Sequence, residues 1–365
     1  MKRILHIVGK MDRAGAETML MNIYRNIDKD QIQFDFVTFT NDKGDYDDEI
    51  IKMGGNIIPI IASNNISRLF KLKTYLMNHP EYSIVHIHML LNSSFSLLAS
   101  KLAGIQHRIC HSHNTSNGNL TWLGKIYETW AIRTINKVSS LKIACGHAAA
   151  EYLYPQVEDV LILPNAVEVE GLAELQDKIN NEARLISSKN VIKILQVGRL
   201  SEVKNPFFTL EIAKKIKGAK VSAHIYLIGQ GNLREQLAHE IVKHNLEDVV
   251  TLLGLRSDVP QLMSEANILL MPSLHEGFPV VLVESQAVGL PAIVSTEVSR
   301  EVDLGVGLMT FLPTNNNTTQ WLDMIIKLQD TKILNKEKRI VILKQKGFDV
   351  VENAKQLQNL YMQMK

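Results

Sequence analysis

Cysteine is nearly absent from this chain. Its 365 residues hold two, Cys110 and Cys145, both in or beside apolar segments. Neither stands at a metal-ligand or redox spacing. A disulfide framework is excluded, and buried reduced thiols are expected. An excess of one charge is missing too: 40 Lys and Arg offset 38 Asp and Glu, for a formal charge of +2. That balance makes a bulk electrostatic nucleic-acid binder an unattractive reading, and no nucleic-acid partner is expected.

Long apolar runs are also lacking. The first runs over 4–8 and is broken by His6, which is too short for a signal peptide. No later segment approaches the roughly 20 apolar residues of a spanning helix. The protein is expected in the cytoplasm, with any membrane contact peripheral. The Gly-x-Gly-x-x-Gly fingerprint is absent from the first strand–helix turn, which argues against a dehydrogenase.

What is present is the balance of a soluble globular protein, 45% hydrophobic and 21% charged. At roughly 150 residues per domain the length suggests two domains, each able to bury a core. Short apolar runs at 4–8, 34–39, 56–60, 84–88, 108–111 and 141–144 read as strands. Amphipathic stretches at 16–27, 67–78, 93–102 and 120–138 read as helices among them. A polar, helical stretch is expected up to 190. The alternation then restarts, with strands at 192–197, 223–228, 249–253, 268–270 and 292–295 and helices at 206–216, 232–244 and 280–288. A loop is expected at 314–320. Strand–helix alternation implies α/β domains with doubly wound parallel sheets. The expected division is 1–168 and 169–350, with a helix at 351–365 returning to the first domain. Two such domains facing each other would leave a cleft, and ligands bind at the carboxyl ends of the strands.

The most informative segment is Pro272-Ser-Leu-His-Glu276-Gly-Phe-Pro-Val-Val-Leu-Val-Glu284, between a strand and a helix. Pro279 suits the first helical turn, where its missing N–H costs nothing. Gly277 permits close approach of a ligand, and the free amides after it form an anion site. Glu284 lies five residues past Pro279. At about 1.5 Å per residue, that is ~7.5 Å deeper, where the ribose of a bound nucleoside diphosphate would lie. Glu276 sits ahead of the helix, on the sugar side. The bland alternative is a strand-to-helix turn with two surface glutamates.

A second segment, Val197-Gly-Arg199-Leu-Ser-Glu-Val-Lys204-Asn205-Pro206, also joins a strand to a helix. Asn205 is the expected N-cap and Pro206 the first helical residue. Arg199 and Lys204 converge above the sheet, as a departing diphosphate requires. Such charge-assisted contacts are worth about 1.5–3 kcal/mol each. The alternative is a solvated loop. Gly229-Gln-Gly231 ends a third strand on the same edge, and Arg13-Ala-Gly15-Ala-Glu17 joins the first strand to the first helix. Gly15 would bring backbone against the diphosphate from the other domain.

Together, Glu276 and Glu284, the Gly-Arg-Leu…Lys-Asn-Pro run, Gly-Gln-Gly and Ala-Gly-Ala-Glu resemble glycosyltransferase family 4. The resemblance covers nearly the whole chain and implies the GT-B fold, two Rossmann-like domains around a cleft. It implies retaining transfer of a hexose from a nucleoside diphosphate sugar, a UDP-sugar foremost, with no metal and no further cofactor. Carried onto this chain, Arg199 and Lys204 stabilise the departing diphosphate. Glu284 holds the ribose, and Glu276 lies near the donor sugar. The backbone at Gly15, Gly229, Gly231, Gly277, Phe278, Val280 and Val281 approaches phosphate or sugar. His113, or less favourably His111, contacts the donor sugar or the acceptor. The acceptor implied is a growing glycan or lipid-linked glycan in exopolysaccharide, capsule or lipopolysaccharide assembly. One departure is Ala14, where many relatives have glycine. Rival readings are an epimerase or phosphorylase on the same fold, or a silent nucleotide-sugar sensor.

Three further features are weighed. His111 and His113 alternate, so they share a face. A metal site there lacks an evident third ligand, and hydrogen-bonded strand-end histidines are the bland reading. Asp45-Tyr-Asp47 matches the metal-binding Asp-x-Asp of the other glycosyltransferase fold, but it lies in an acidic stretch that reads as a solvated loop. Residues 120–142 contain Trp122, Trp130, Lys125, Arg133, Lys137 and Lys142, with Glu128 the sole acid. Packing on the first domain is the favoured reading, and a peripheral contact with an anionic membrane is the alternative.

Overall fold

Runs rich in Ile, Val, Leu and Phe become strands covered on both faces, as in Ile32–Thr38, where every residue is buried. The computed structural model describes residues 1–114, 121–178, 191–315, 317–328 and 335–364. The chain forms two units, Met1–Ala166 with Asp349–Lys365, and Val167–Phe348.

The first unit holds β1 (Lys2–Ile7), β2 (Ile32–Thr38), β3 (Ile57–Pro59), β4 (Ile84–Ile87), β5 (His107–Ser112), β6 (Leu141–Ala144) and β7 (Val160–Ile162). All neighbouring pairs are parallel, in the order β3-β2-β1-β4-β5-β6-β7. The second holds β8 (Ile192–Val197), β9 (Ala223–Ile228), β10 (Val250–Gly254), β11 (Ile268–Met271), β12 (Ala292–Ser295) and β13 (Met309–Leu312). These are also parallel, in the order β10-β9-β8-β11-β12-β13. Strand order therefore reverses between β1 and β4, and again between β8 and β11. Such reversals open a crevice at the carboxyl ends of the strands.

Period-two alternation sorts the first core. Leu5, Ile7, Val85, Ile87 and Cys110 face one side. Ile4, Val8, Phe34, Phe36, Ile84 and Ile109 face the other, with Tyr361 from the helix Val350–Gln363. His6, His86 and His111 share the phase of this second set. Both cysteines are buried and free, and burial pushes the Cys110 thiol up to about 11.

Several short elements differ from the expected ones. The strands β7 and β13 were not among the expected ones; each is short, and each is only partly buried. The helix Thr318–Leu328 begins inside the expected loop. Buried Trp321, Leu322 and Ile325 fix it against the second unit's core; residue 316 lies outside the described residues. The stretch expected up to 190 contains the helix Val169–Lys178, and its remainder, 179–190, is outside the described residues. The helix expected at 120–138 is Trp122–Val138, with Leu120 also outside them.

Candidate active site

The β8–β11 reversal gathers the candidate residues of the second unit. After β8, the Leu200 amide donates to the Gln230 carbonyl at 2.9 Å. Gly229 has φ of +135°, and a Cβ there would fall 2.0 Å from the Gly198 carbonyl oxygen. A Cβ on Gly231 would fall 2.2 Å from the Leu200 carbonyl oxygen. Gly229-Gln-Gly231 is therefore pressed against the Gly198–Leu200 backbone. That contact seats the loop that carries Arg199. Arg199 itself is exposed, with no ion-pair partner among the described residues.

The loop after β11 is tied to this one. The Leu274 amide donates to the Val203 carbonyl at 2.8 Å. Asn205 Nδ2 donates to the Pro272 carbonyl at 3.2 Å. These ties bring Lys204 Nζ to 2.5 Å from Glu276 Oε1, with the two side chains 23% and 14% exposed. Glu276 also bridges to Val298 through its backbone.

Two details correct the sequence reading. Asn205 does not cap its helix by side chain. It takes a left-handed backbone, φ +50°, and spends its amide on Pro272. Pro206 does open that helix, Pro206–Gly218. Pro279 precedes the helix Val280–Val288 in extended backbone instead of lying in its first turn. Its carbonyl accepts from the Leu282 amide at 3.1 Å. The amides of Val280 and Val281 have no partner within the helix, as helix geometry requires. The Phe278 ring stacks on Phe348 at 5.3 Å, so packing claims its side chain and a ligand would meet its backbone.

Arg199 and Lys204 share this edge with Glu276, and a helix N-terminus adds partial positive charge. Glu284 sits half-buried on the same helix, with no hydrogen-bond or ion-pair partner among the described residues. Burial alone pushes its carboxyl up to about 7.

Gly15 and His113 belong to the first unit. Gly15 opens the helix Gly15–Asn26, and a Cβ there would meet nothing within 4 Å. His113 follows β5. Its Nε2 lies 2.9 Å from His88 Nδ1, and His88 Nε2 lies 3.1 Å from His6 Nδ1. His86 Nδ1 lies 2.6 Å from the Tyr361 hydroxyl. Burial pushes His6 and His113 down to about 3, and holds His86, His88 and His111 well below the usual histidine range. Hydrogen-bonded strand-end histidine describes His113 but not His111, whose two ring nitrogens are buried without partners. A third histidine, not singled out in the sequence reading, stands beside them: a ring nitrogen of His88 lies within 4.8 Å of those of His111 and His113. The readable signal was a second His-x-His, at 86 and 88, ending a strand in the same phase.

The Asp-x-Asp stretch is no solvated loop. Asp47 is buried, opens the helix Asp47–Lys52 and accepts from the Gly44 amide at 2.8 Å. Asp45 accepts from the Arg13 amide at 3.0 Å. In the helix Trp122–Val138, Ala131, Ile135 and Val138 are buried. Trp122, Leu123, Ile126 and Trp130 are exposed. Among the described residues, no helix is long and apolar enough to cross a membrane.

Two parallel, doubly wound units define a protein of the GT-B fold. Over the full length of both chains the structure matches that of Anabaena Alr3699/HepE in complex with UDP and glucose, with a TM-score of 0.79 and 18% identity. Residues 13–170 match Glycosyltransferase Family 4, and residues 177–341 match Glycosyl transferases group 1. EpsF of Bacillus subtilis (strain 168), itself named only as a glycosyltransferase, is 36% identical over 99% of this chain and 96% of its own. The Escherichia coli UDP-Gal:alpha-D-GlcNAc-diphosphoundecaprenol alpha-1,3-galactosyltransferase is 26% identical over 91% and 90%. The capsular polysaccharide biosynthesis glycosyltransferase CapH of Staphylococcus aureus is 22% identical over 99% of each chain. The chain belongs to glycosyltransferase family 4, and it is a glycosyltransferase of polysaccharide biosynthesis.

Proposed function

We propose that this enzyme moves a hexose from a UDP-sugar to a lipid-linked or growing glycan, with retention of configuration. The observation that carries the reading is the tied pair of loops after β8 and β11. They set Lys204 and Arg199 beside a helix N-terminus at a strand-order reversal. In the reaction, the acceptor oxygen bonds to the anomeric carbon as the carbon–phosphate-oxygen bond breaks on the same face. The acceptor proton passes to the departing phosphate oxygen. Arg199 and Lys204 neutralise the charge that develops on the diphosphate, which is the main electrostatic demand of the step. In this reading the two side-chain cations take the part that a metal ion plays in a metal-dependent enzyme.

Glu284 is assigned to the ribose hydroxyls and Glu276 to the donor sugar. The backbone of Gly277, Phe278, Val280 and Val281 serves the phosphates. Gly15 and His113 are assigned to the diphosphate and to the sugar or acceptor, respectively. Residues 169–350 form the donor-binding portion in this reading, and 1–168 the acceptor portion. A UDP-sugar and a diphosphoundecaprenol acceptor are named for the Escherichia coli relative, which supports these substrate classes. The exposed Trp122, Ile126 and Trp130 with nearby Lys125, Arg133 and Lys137 support peripheral docking on an anionic cytoplasmic leaflet.

The test is calorimetric titration with UDP, GDP and ADP, with and without EDTA. Micromolar binding of UDP, unchanged by EDTA, is expected. Absence of binding by any nucleotide would overturn the donor-site assignment.

A further inference from the structure

The carboxyl edge of the first sheet gathers histidine from strands that are distant in sequence. His88 follows β4, His111 ends within β5 and His113 follows it. One ring nitrogen from each lies within 4.8 Å of those from the other two. We propose that His88, His111 and His113 bind one divalent transition-metal ion of the zinc class.

Four observations carry this. First, the spacing is close to a metal's. Zinc–nitrogen bonds of about 2.0–2.1 Å in a tetrahedron place ligand nitrogens roughly 3.3 Å apart. His88 Nδ1 and His113 Nε2 stand at 2.9 Å, so a small opening admits the ion. Second, both nitrogens of His111 are buried without partners, and an ion in this cluster would complete one of them. Buried polar groups are rarely left so unless an ion or water completes them. Third, His88 keeps its other nitrogen 3.1 Å from His6 Nδ1, the kind of outer contact that orients a ligating ring. Fourth, the cluster contains imidazole alone. Imidazole suits zinc, copper or nickel, whereas magnesium and calcium prefer oxygen.

A second triad, His6, His86 and His88, shares His88. It lies deeper, because His6 and His86 are fully buried whereas His88 and His113 reach the surface. The outer triad therefore has the entry path. An ion there engages His113 and so inhibits sugar transfer. That consequence rests on the assignment of His113 proposed above; metal binding does not.

The experiment uses the full chain, stripped with chelator and titrated calorimetrically with Zn²⁺ in the absence of nucleotide. Co²⁺ absorption in the visible range reports tetrahedral coordination. One ion per chain is expected. The affinity should fall about tenfold or more in His111→Ala and in His88→Gln, and stay unchanged in His147→Ala, an exposed histidine outside the cluster. Circular dichroism checks folding. Should His111→Ala not fold, His113→Gln must lose the cobalt spectrum. Failure to bind one ion, or equal binding in the cluster variants, overturns the site. So does loss of binding in His6→Gln with full binding in His111→Ala, which would move the ion to the inner triad.

Discussion

Lys204 Nζ stands 2.5 Å from Glu276 Oε1, and each comes from a loop that follows a different strand of the second sheet. The Lys204 ammonium carries three donors, and the Glu276 carboxylate engages it from one side. Lys204 is thus held near its working place while its hydrogen-bonding capacity stays open to an incoming diphosphate.

Replacing Lys204 with Ala should therefore lower kcat about a hundredfold, the usual effect of removing one donor from a developing charge. UDP affinity should change much less, because the charge grows mainly in the transition state. Steady-state kinetics with parallel UDP titration separates the two. An unchanged kcat would refute the role of Lys204.

Glu284 gives a pH signature. Its carboxyl is raised to about 7 in the folded chain, against about 4.3 for an unperturbed glutamate. Between those values the folded state holds a proton that the unfolded state has lost. Its contribution to stability is therefore largest at low pH and declines as pH rises toward 7. Glu284→Gln should abolish that decline. Ribose hydroxyls are best accepted by the ionised form. UDP affinity should thus rise with pH through about 7 in the native enzyme more steeply than ionisation of the UDP terminal phosphate alone requires, and in Glu284→Gln it should be lower, with only that ligand-borne dependence left. Thermal melts and UDP titrations from pH 5 to about 8.5 read both effects.

The glycines separate packing from ligand approach. Gly229→Ala sets a Cβ 2.0 Å from the Gly198 carbonyl oxygen, at a positive φ. It should destabilise the fold by about 1–3 kcal/mol or more. Gly15→Ala meets open space. It should leave the melting temperature nearly unchanged and weaken donor binding if a diphosphate approaches that backbone. Denaturant unfolding and donor titration distinguish them. A destabilised Gly15→Ala would contradict the geometry.

The exposed face of the helix Trp122–Val138 predicts membrane docking. Trp122→Asp and Ile126→Asp should each reduce sedimentation with phosphatidylglycerol vesicles, without altering the melting temperature. Binding should weaken with salt, and separately by about 1 kcal/mol for each basic residue removed. Equal sedimentation of both variants and the native chain would place this face against something other than lipid.

Sequence alone determined the elements that are long or strongly patterned. Strands Ile192–Val197 and Ala223–Ile228 and the helix Val280–Val288 were legible to the residue, because burial on both faces or one apolar stripe is written locally. The order and spacing of Arg199, Lys204, Glu276 and Glu284 were legible for the same reason: each motif lies within one strand–loop–helix passage. Only tertiary structure decided what depends on neighbours distant in the chain. Parallel sheets pair strands across crossovers, so nothing local brings Val203 to Leu274 or His88 to His113. The same distance hid the pressure of Gly229 on the Gly198 carbonyl, the diversion of Asn205 to Pro272 and the burial of Asp47. In each case a side chain or backbone group answers to a contact from another strand or loop, and that contact exists only once the sheet order is set.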